Sequence, residues 1–252
     1  MNIGRTANPA LNSKTFTRFE GTAVGDRVMT INGTVNKTGI MLFLLVVSAT
    51  WTWNMFFDTG GDAGVVTPWI IGGALGGFVV AMVTVFKKEW AAITAPLYAV
   101  LEGLFLGGLS SILEARYPGI VIQAVGLTFG TLFALLLAYR SGLIKATENF
   151  KLGVAAATGG IVMIYFASII LGMFGINVPF IHDSGIFGIG FSLFVIVIAA
   201  LNLVLDFDFI ENGAESGAPK YMEWYAAFGL MVTLIWLYIE ILRLLVKLSS
   251  RR

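Results

Sequence analysis

Asn202-Leu-Val-Leu-Asp-Phe-Asp-Phe-Ile-Glu211 ends a long apolar run with two aspartates, Asp206 and Asp208, and no basic residue follows until Lys220. An ionised carboxylate at the margin of a hydrocarbon phase needs a partner, a proton, a cation or water, and by default it marks a functional site. The run that carries it, Gly185 to Ile210, can cross a hydrocarbon core of about 30 Å at ~1.5 Å per helical residue. Runs of the same kind lie before and after it. They are Gly39 to Phe57, Val66 to Phe86, Ala91 to Leu113, Gly119 to Tyr139, Leu152 to Phe174 and Trp224 to Val246. The expected architecture is an all-α polytopic membrane protein, a seven-transmembrane-helix bundle.

Composition supports that class. Of 252 residues 57% are hydrophobic and 12% are charged, and the mean hydropathy is +0.85. Charges make up about a quarter of an ordinary globular domain, so this chain is depleted, and its charges cluster between the apolar runs. A net charge of +1, with no basic patch and interleaved aromatics, gives no sign of nucleic-acid binding, and no nucleic-acid partner is expected. The chain has no cysteine, which excludes disulfides, thiolate metal sites and a cysteine nucleophile.

Connections between the runs are short, so 38–248 reads as one transmembrane domain. It follows a polar tail, 1–37, and precedes a basic C-terminal end, 249–252. The tail lacks the apolar core of a signal peptide. Asn8-Pro9, Glu20-Gly21 and Asn32-Gly33 punctuate it as turns or irregular chain. Basic residues orient the protein. Arg5, Lys14, Arg18, Arg27, Lys37, Lys87, Lys88, Arg140, Lys145, Lys151 and Lys220 all fall on the side of the tail, against Arg116 alone in the opposite loops. The positive-inside rule makes the N-terminus of this integral membrane protein cytoplasmic. Arg243, Lys247, Arg251 and Arg252 run against the rule if the last segment crosses. Length favours crossing and charge favours a return to the inside; the weight is on crossing.

Small residues recur four apart, as in Gly72 with Gly76, Gly73 with Gly77, Gly103 with Gly107, Gly126 with Gly130 and Ala156 with Gly160. Such pairs let helix backbones approach in lipid. Packing within one subunit is the first reading and a dimer interface the second. The tryptophans lie mostly near segment ends, as interfacial belts do.

Five carboxylates are candidates for an ion pathway or its gating: Glu102, Asp206, Asp208, Glu223 and Glu240. Glu102 sits near the middle of the third segment and should be protonated or paired there. Glu240 has Arg243 three residues on, on the same helix face. Asp206 and Asp208 are rotated by roughly 200° from each other on a helix, so only one can point inward. Asp206, the deeper, is expected to do so and to meet calcium. Asp208 is expected to join Glu211 and Glu215 in a solvated acidic rim that concentrates cations at the mouth. Oxygen ligands of this kind suit calcium or protons, not a soft metal.

Enzyme chemistry finds no support. The one histidine, His182, lies in the outer loop Phe180-Ile-His-Asp-Ser184, and Ser192, inside a segment, has no histidine or lysine to accompany it. No hydrolase, metalloprotease or phosphate-loop motif occurs.

Two stretches resemble the Bax inhibitor-1 (transmembrane Bax inhibitor motif) family. Leu203-Val-Leu-Asp-Phe-Asp-Phe-Ile-Glu-Asn-Gly-Ala-Glu-Ser-Gly217 is similar to the family's aspartate-led stretch and its acidic, glycine-containing loop. Asn8-Pro-Ala-Leu-Asn-Ser-Lys-Thr-Phe16 and Asn32-Gly-Thr-Val-Asn-Lys-Thr-Gly39 resemble a prokaryotic branch of it. The resemblance implies a helical bundle with a central last helix and a pH-sensitive calcium permeability. It also implies a pair of aspartates, on the sixth and seventh segments, as sensor and gate. Asp206 falls on the first position. The second does not carry over, because the aligned positions are Ala227, Met231 or Thr233. In a crossing helix Glu223 is the more plausible substitute; if the helix returns, Glu240 is.

The expected function is therefore a calcium (or cation) leak channel without enzymatic activity or a permanently bound cofactor. Calcium would be its permeant ion and membrane lipid its surroundings. The alternative is a non-transporting regulator that binds other membrane proteins, such as a quality-control protease.

Overall fold

A computed structural model of the chain describes residues 28–175 and 185–251. Expectations for the rest of the tail and for the loop with His182 lie outside the described residues. Seven helices account for nearly all of what is described: α1 (Ile31–Asp58), α2 (Ala63–Phe86), α3 (Ala91–Arg116), α4 (Ile120–Arg140), α5 (Glu148–Met173), α6 (Ile186–Glu215) and α7 (Met222–Ser249). All seven are long and apolar enough to cross a membrane. Large side chains such as Phe43, Phe78, Phe133, Met163 and Phe166 are exposed on them. Water would not tolerate such a surface and lipid does, so the protein is an integral membrane protein of the expected all-α class.

The helix ends follow local chemistry. Thr30, extended, caps α1 by accepting from the Gly33 amide at 3.0 Å, and Asp62 caps α2 by accepting from Gly64 at 2.8 Å. Thr147 caps α5, accepting from Phe150 at 3.3 Å. The Glu114 carboxylate at the end of α3 accepts from the Gly119 and Val121 amides at 2.6 and 3.0 Å, which satisfies orphan donors where α4 starts. Gly119 itself turns the chain at φ 84°, a conformation that a side chain would strain.

Two boundaries differ from the sequence reading with consequences. α1 starts at Ile31, not Gly39, so Asn32-Gly33 lies in its first turn instead of an irregular tail. α7 is one uninterrupted helix from Met222 to Ser249, about 42 Å long at 1.5 Å per residue, which leaves no place for a dip and return.

The described residues divide into two compact units. One comprises 28–121 and 209–232: α1, α2, α3, the start of α4, the end of α6 and the start of α7. Glycines build it. A Cβ at Gly103 would strike Ser48 and the Leu45 carbonyl of α1, and one at Gly107 would strike Ala49 and Thr52. On α2 a Cβ at Gly73 would lie 2.6 Å from the Leu101 carbonyl of α3. α3 is thus held between two neighbours at backbone contact, the packing that lipid favours. Two of the small-residue pairs behave otherwise. At Gly126, Gly130 and Gly160 a Cβ would meet open space among the described residues.

The other unit comprises 122–175, 185–208 and 233–251. Its core is Ile161 of α5 with Val195 and Ile198 of α6, against which Ala157, Tyr165, Phe191 and Trp236 pack. Trp236, partly buried, thus ties α7 to this core.

Gly107→Val should lower stability by about 1–3 kcal/mol, the usual cost of overpacking, while Gly130→Ala should be neutral or mildly stabilising. Loss of monodisperse protein on size exclusion after heating in detergent checks both.

Candidate functional site

Asp206 is wholly buried in α6, in the unit built on α5. Its neighbour two residues on faces elsewhere, as helix geometry requires. Asp208 is not part of a solvated rim: its carboxylate meets the Lys151 ammonium of α5 at 2.8 Å, with 17% of its side chain exposed and 9% of the lysine's. Glu211 and Glu215 are exposed. The sequence reading placed Lys151 in a loop because α5 was expected to start at Leu152. α5 instead starts at Glu148, so the lysine enters the helix and is spent on Asp208.

Farther along α5 the same face stays polar. Thr158 Oγ1 accepts from the Asn202 amide of α6 at 2.9 Å, and Asn202 also donates to the Ile198 carbonyl at 2.8 Å. Tyr165 donates its hydroxyl hydrogen to Glu240 Oε1 of α7 at 2.9 Å. Arg243 donates to the Tyr165 oxygen at 2.6 Å and to Glu240 at 3.0 Å, and its guanidinium lies 5.1 Å from the centre of the tyrosine ring. The expected Glu240–Arg243 pair is therefore present, but it is bridged to a second helix.

One turn beyond Arg243, Lys247 is buried and donates to the Gly188 carbonyl and to Ser192 Oγ of α6, both at 2.9 Å. Ser192 thus has a lysine beside it after all. That lysine reaches Ser192 as a donor and shares its hydrogens with a backbone carbonyl, the arrangement of an ammonium anchoring two helices. The same contacts account for part of the basic end of α7, where Lys247 is buried and the partly exposed Arg243 is paired with Glu240.

Glu223, favoured as the neighbour of Asp206, has other partners. It belongs to the unit built on α1–α3, where its buried carboxylate accepts from the Thr30 amide and the Thr30 hydroxyl, both at 2.9 Å. Lys37 of α1 pairs with its second oxygen and Lys220 with its first, at 3.0 Å. The approach depends on Gly33, since a Cβ there would overlap the carboxylate. A negative charge at the start of α1 also complements the positive end of the helix dipole. Met29 donates to the Ala218 carbonyl at 2.7 Å and Val28 bridges Pro219, so the chain before α1 is tied to the chain before α7.

Glu102 is half-buried in α3 and lies against Gly77 of α2. It makes neither hydrogen bond nor ion pair among the described residues. At the positions aligned with the second aspartate of the resembled family, Ala227, Met231 and Thr233 are all buried, and only Thr233 shares a unit with Asp206. Among the described residues no three histidine or acidic side chains gather to hold a metal.

Lys151, Thr158 and Tyr165 escaped the sequence reading, as did the role of Asn202 inside the opening stretch. Their signal was available: they are spaced by seven along α5, a spacing that keeps side chains on one helix face.

A family model described as Bax inhibitor 1 like matches residues 8–250. No curated protein matches the chain. No solved structure matches it either.

Glu223→Ala would leave the Thr30 amide and Lys37 without their acceptor, at a cost of about 1–3 kcal/mol. Hydrogen exchange should quicken at the amides of 28–38 in this variant and stay slow in the middle of α3.

Proposed function

The chain belongs to the Bax inhibitor 1 like family, and on that premise we propose that it is a pH-sensitive calcium leak channel with intramembrane carboxylates as its gating groups. The observation that carries the reading is Asp206, a wholly buried carboxylate in a membrane-spanning helix. Ionised, such a group attracts a hard cation into a low-dielectric region; protonated, it gives up that attraction. One side chain thus supplies both selectivity for cations and a dependence on pH. Calcium is the cargo and not a resident cofactor, and no bond is made or broken in the protein.

The membrane is the bacterial plasma membrane, with the N-terminus in the cytoplasm. Lys87, Arg140 and Lys145 are exposed, and the alternation of seven crossings assigns their connections to the side of the tail, which supports this orientation. The unbroken α7 then delivers the C-terminus to the outer side, and Arg243 and Lys247 do not oppose it because both are engaged within the protein.

Calcium entry into proteoliposomes carrying an entrapped indicator tests the reading. The parent should conduct, with a rate that changes between about pH 6 and pH 8, and Asp206→Asn should conduct less and respond less to pH. Entry no faster than into empty vesicles at every pH would sink the proposal.

A further inference from the structure

The polar contacts on α5 form a file. Lys151, Thr158 and Tyr165 are seven residues apart, so they stack on one face at intervals of about 10 Å. Each meets a polar group from a neighbouring helix: Asp208, Asn202 and Glu240 in turn. Lys151, Thr158, Asn202 and Glu240 are all buried. Three spanning helices therefore share an internal row of oxygen and nitrogen atoms over roughly 20 Å, where apolar side chains would serve packing equally well. Buried polar rows in membrane helices mark ion and substrate routes.

The row contains two carboxylates, and each is occupied by a cation of the protein itself. The Lys151 ammonium sits on Asp208 at 2.8 Å, and the Arg243 guanidinium sits on Glu240 at 3.0 Å. Between them on the row lie the Thr158 hydroxyl and the Asn202 amide, and Asp206 is buried one turn along α6 from Asn202. Resting on the channel reading above, we propose that this α5 face is a cation route, and that Lys151 and Arg243 are tethered cations that fill its two binding carboxylates and hold it closed. A hard cation takes the same oxygens once a tethered cation is withdrawn. Competition for the site follows from charge: a second cation arriving at an occupied carboxylate meets the repulsion of the first, which a low-dielectric interior screens poorly.

The test uses the full chain in proteoliposomes with calcium as the probe. Lys151→Met should raise calcium entry roughly tenfold over the parent, because the ion then meets a carboxylate in place of a fixed positive charge. Lys151→Met with Asp208→Asn should return entry to the parental rate or below, and Lys151→Arg should remain parental. Arg243 is partly exposed, so Arg243→Gln gives a second opening variant that does not strip a fully buried lysine. Every variant is compared only after eluting as monodisperse protein. If the parent conducts and neither Lys151→Met nor Arg243→Gln exceeds it, the tethered-cation proposal is overturned and the channel reading survives. If the parent is silent but either variant conducts, the tethered-cation proposal stands while the leak proposed for the unaltered protein is overturned. Silence in the parent and in both variants overturns both readings.

Discussion

A carboxylate inside a hydrocarbon slab gains most from donors within the protein, and for Asp208, Glu240 and Glu223 another helix supplies at least one of them. Lys151 of α5 meets Asp208 of α6, Tyr165 of α5 meets Glu240 of α7, and the start of α1 meets Glu223 of α7. Apolar burial gives little drive to helix association in lipid. Directional polar contacts and close backbone packing therefore carry more of the specificity than they would in water. Removing one member of a buried pair strands the other, so these contacts also fix which helix faces meet.

Glycine does the complementary work in the unit built on α1–α3. Gly103 and Gly107 bring α3 to backbone contact with α1, and Gly73 brings α2 to α3. Gly33 has a different task, since it clears space for a carboxylate and not for another helix. Polar anchoring and close packing thus divide the labour. Glu223 holds the beginnings of two helices, and the glycines set the spacing along the membrane-spanning lengths of α1, α2 and α3.

Periodicity and composition were enough to read the seven helices, because runs of this length and apolarity have few alternatives. The start of α1 was misread for a physical reason: Asn32-Gly33 carries the local signal of a turn, yet Thr30 caps a helix there and Glu223 stabilises it from far along the chain. Lys151 was assigned to a loop by the same logic, since a charge normally ends a spanning run. Its tertiary partner Asp208 reverses that expectation. The candidate carboxylates were legible as costly groups, and helix geometry correctly separated Asp206 from Asp208. Their partners were not legible, because no local pattern joins Lys247 to Ser192 or Thr30 to Glu223. Only the seven-residue spacing on α5 offered a hint.

The central claim is that water and cations can reach the polar face of α5 between its two occupied carboxylates. The chain lacks cysteine, so a single cysteine at Thr158 can be reacted cleanly with a water-soluble cationic thiol reagent in lipid vesicles. The account predicts slow reaction in the parent background, faster reaction when Lys151→Met is added, and protection by calcium. A cysteine at the exposed Met163 of α5, which faces lipid, supplies the comparison. Reaction at Thr158→Cys no faster than at Met163→Cys, with or without Lys151→Met, would contradict the account.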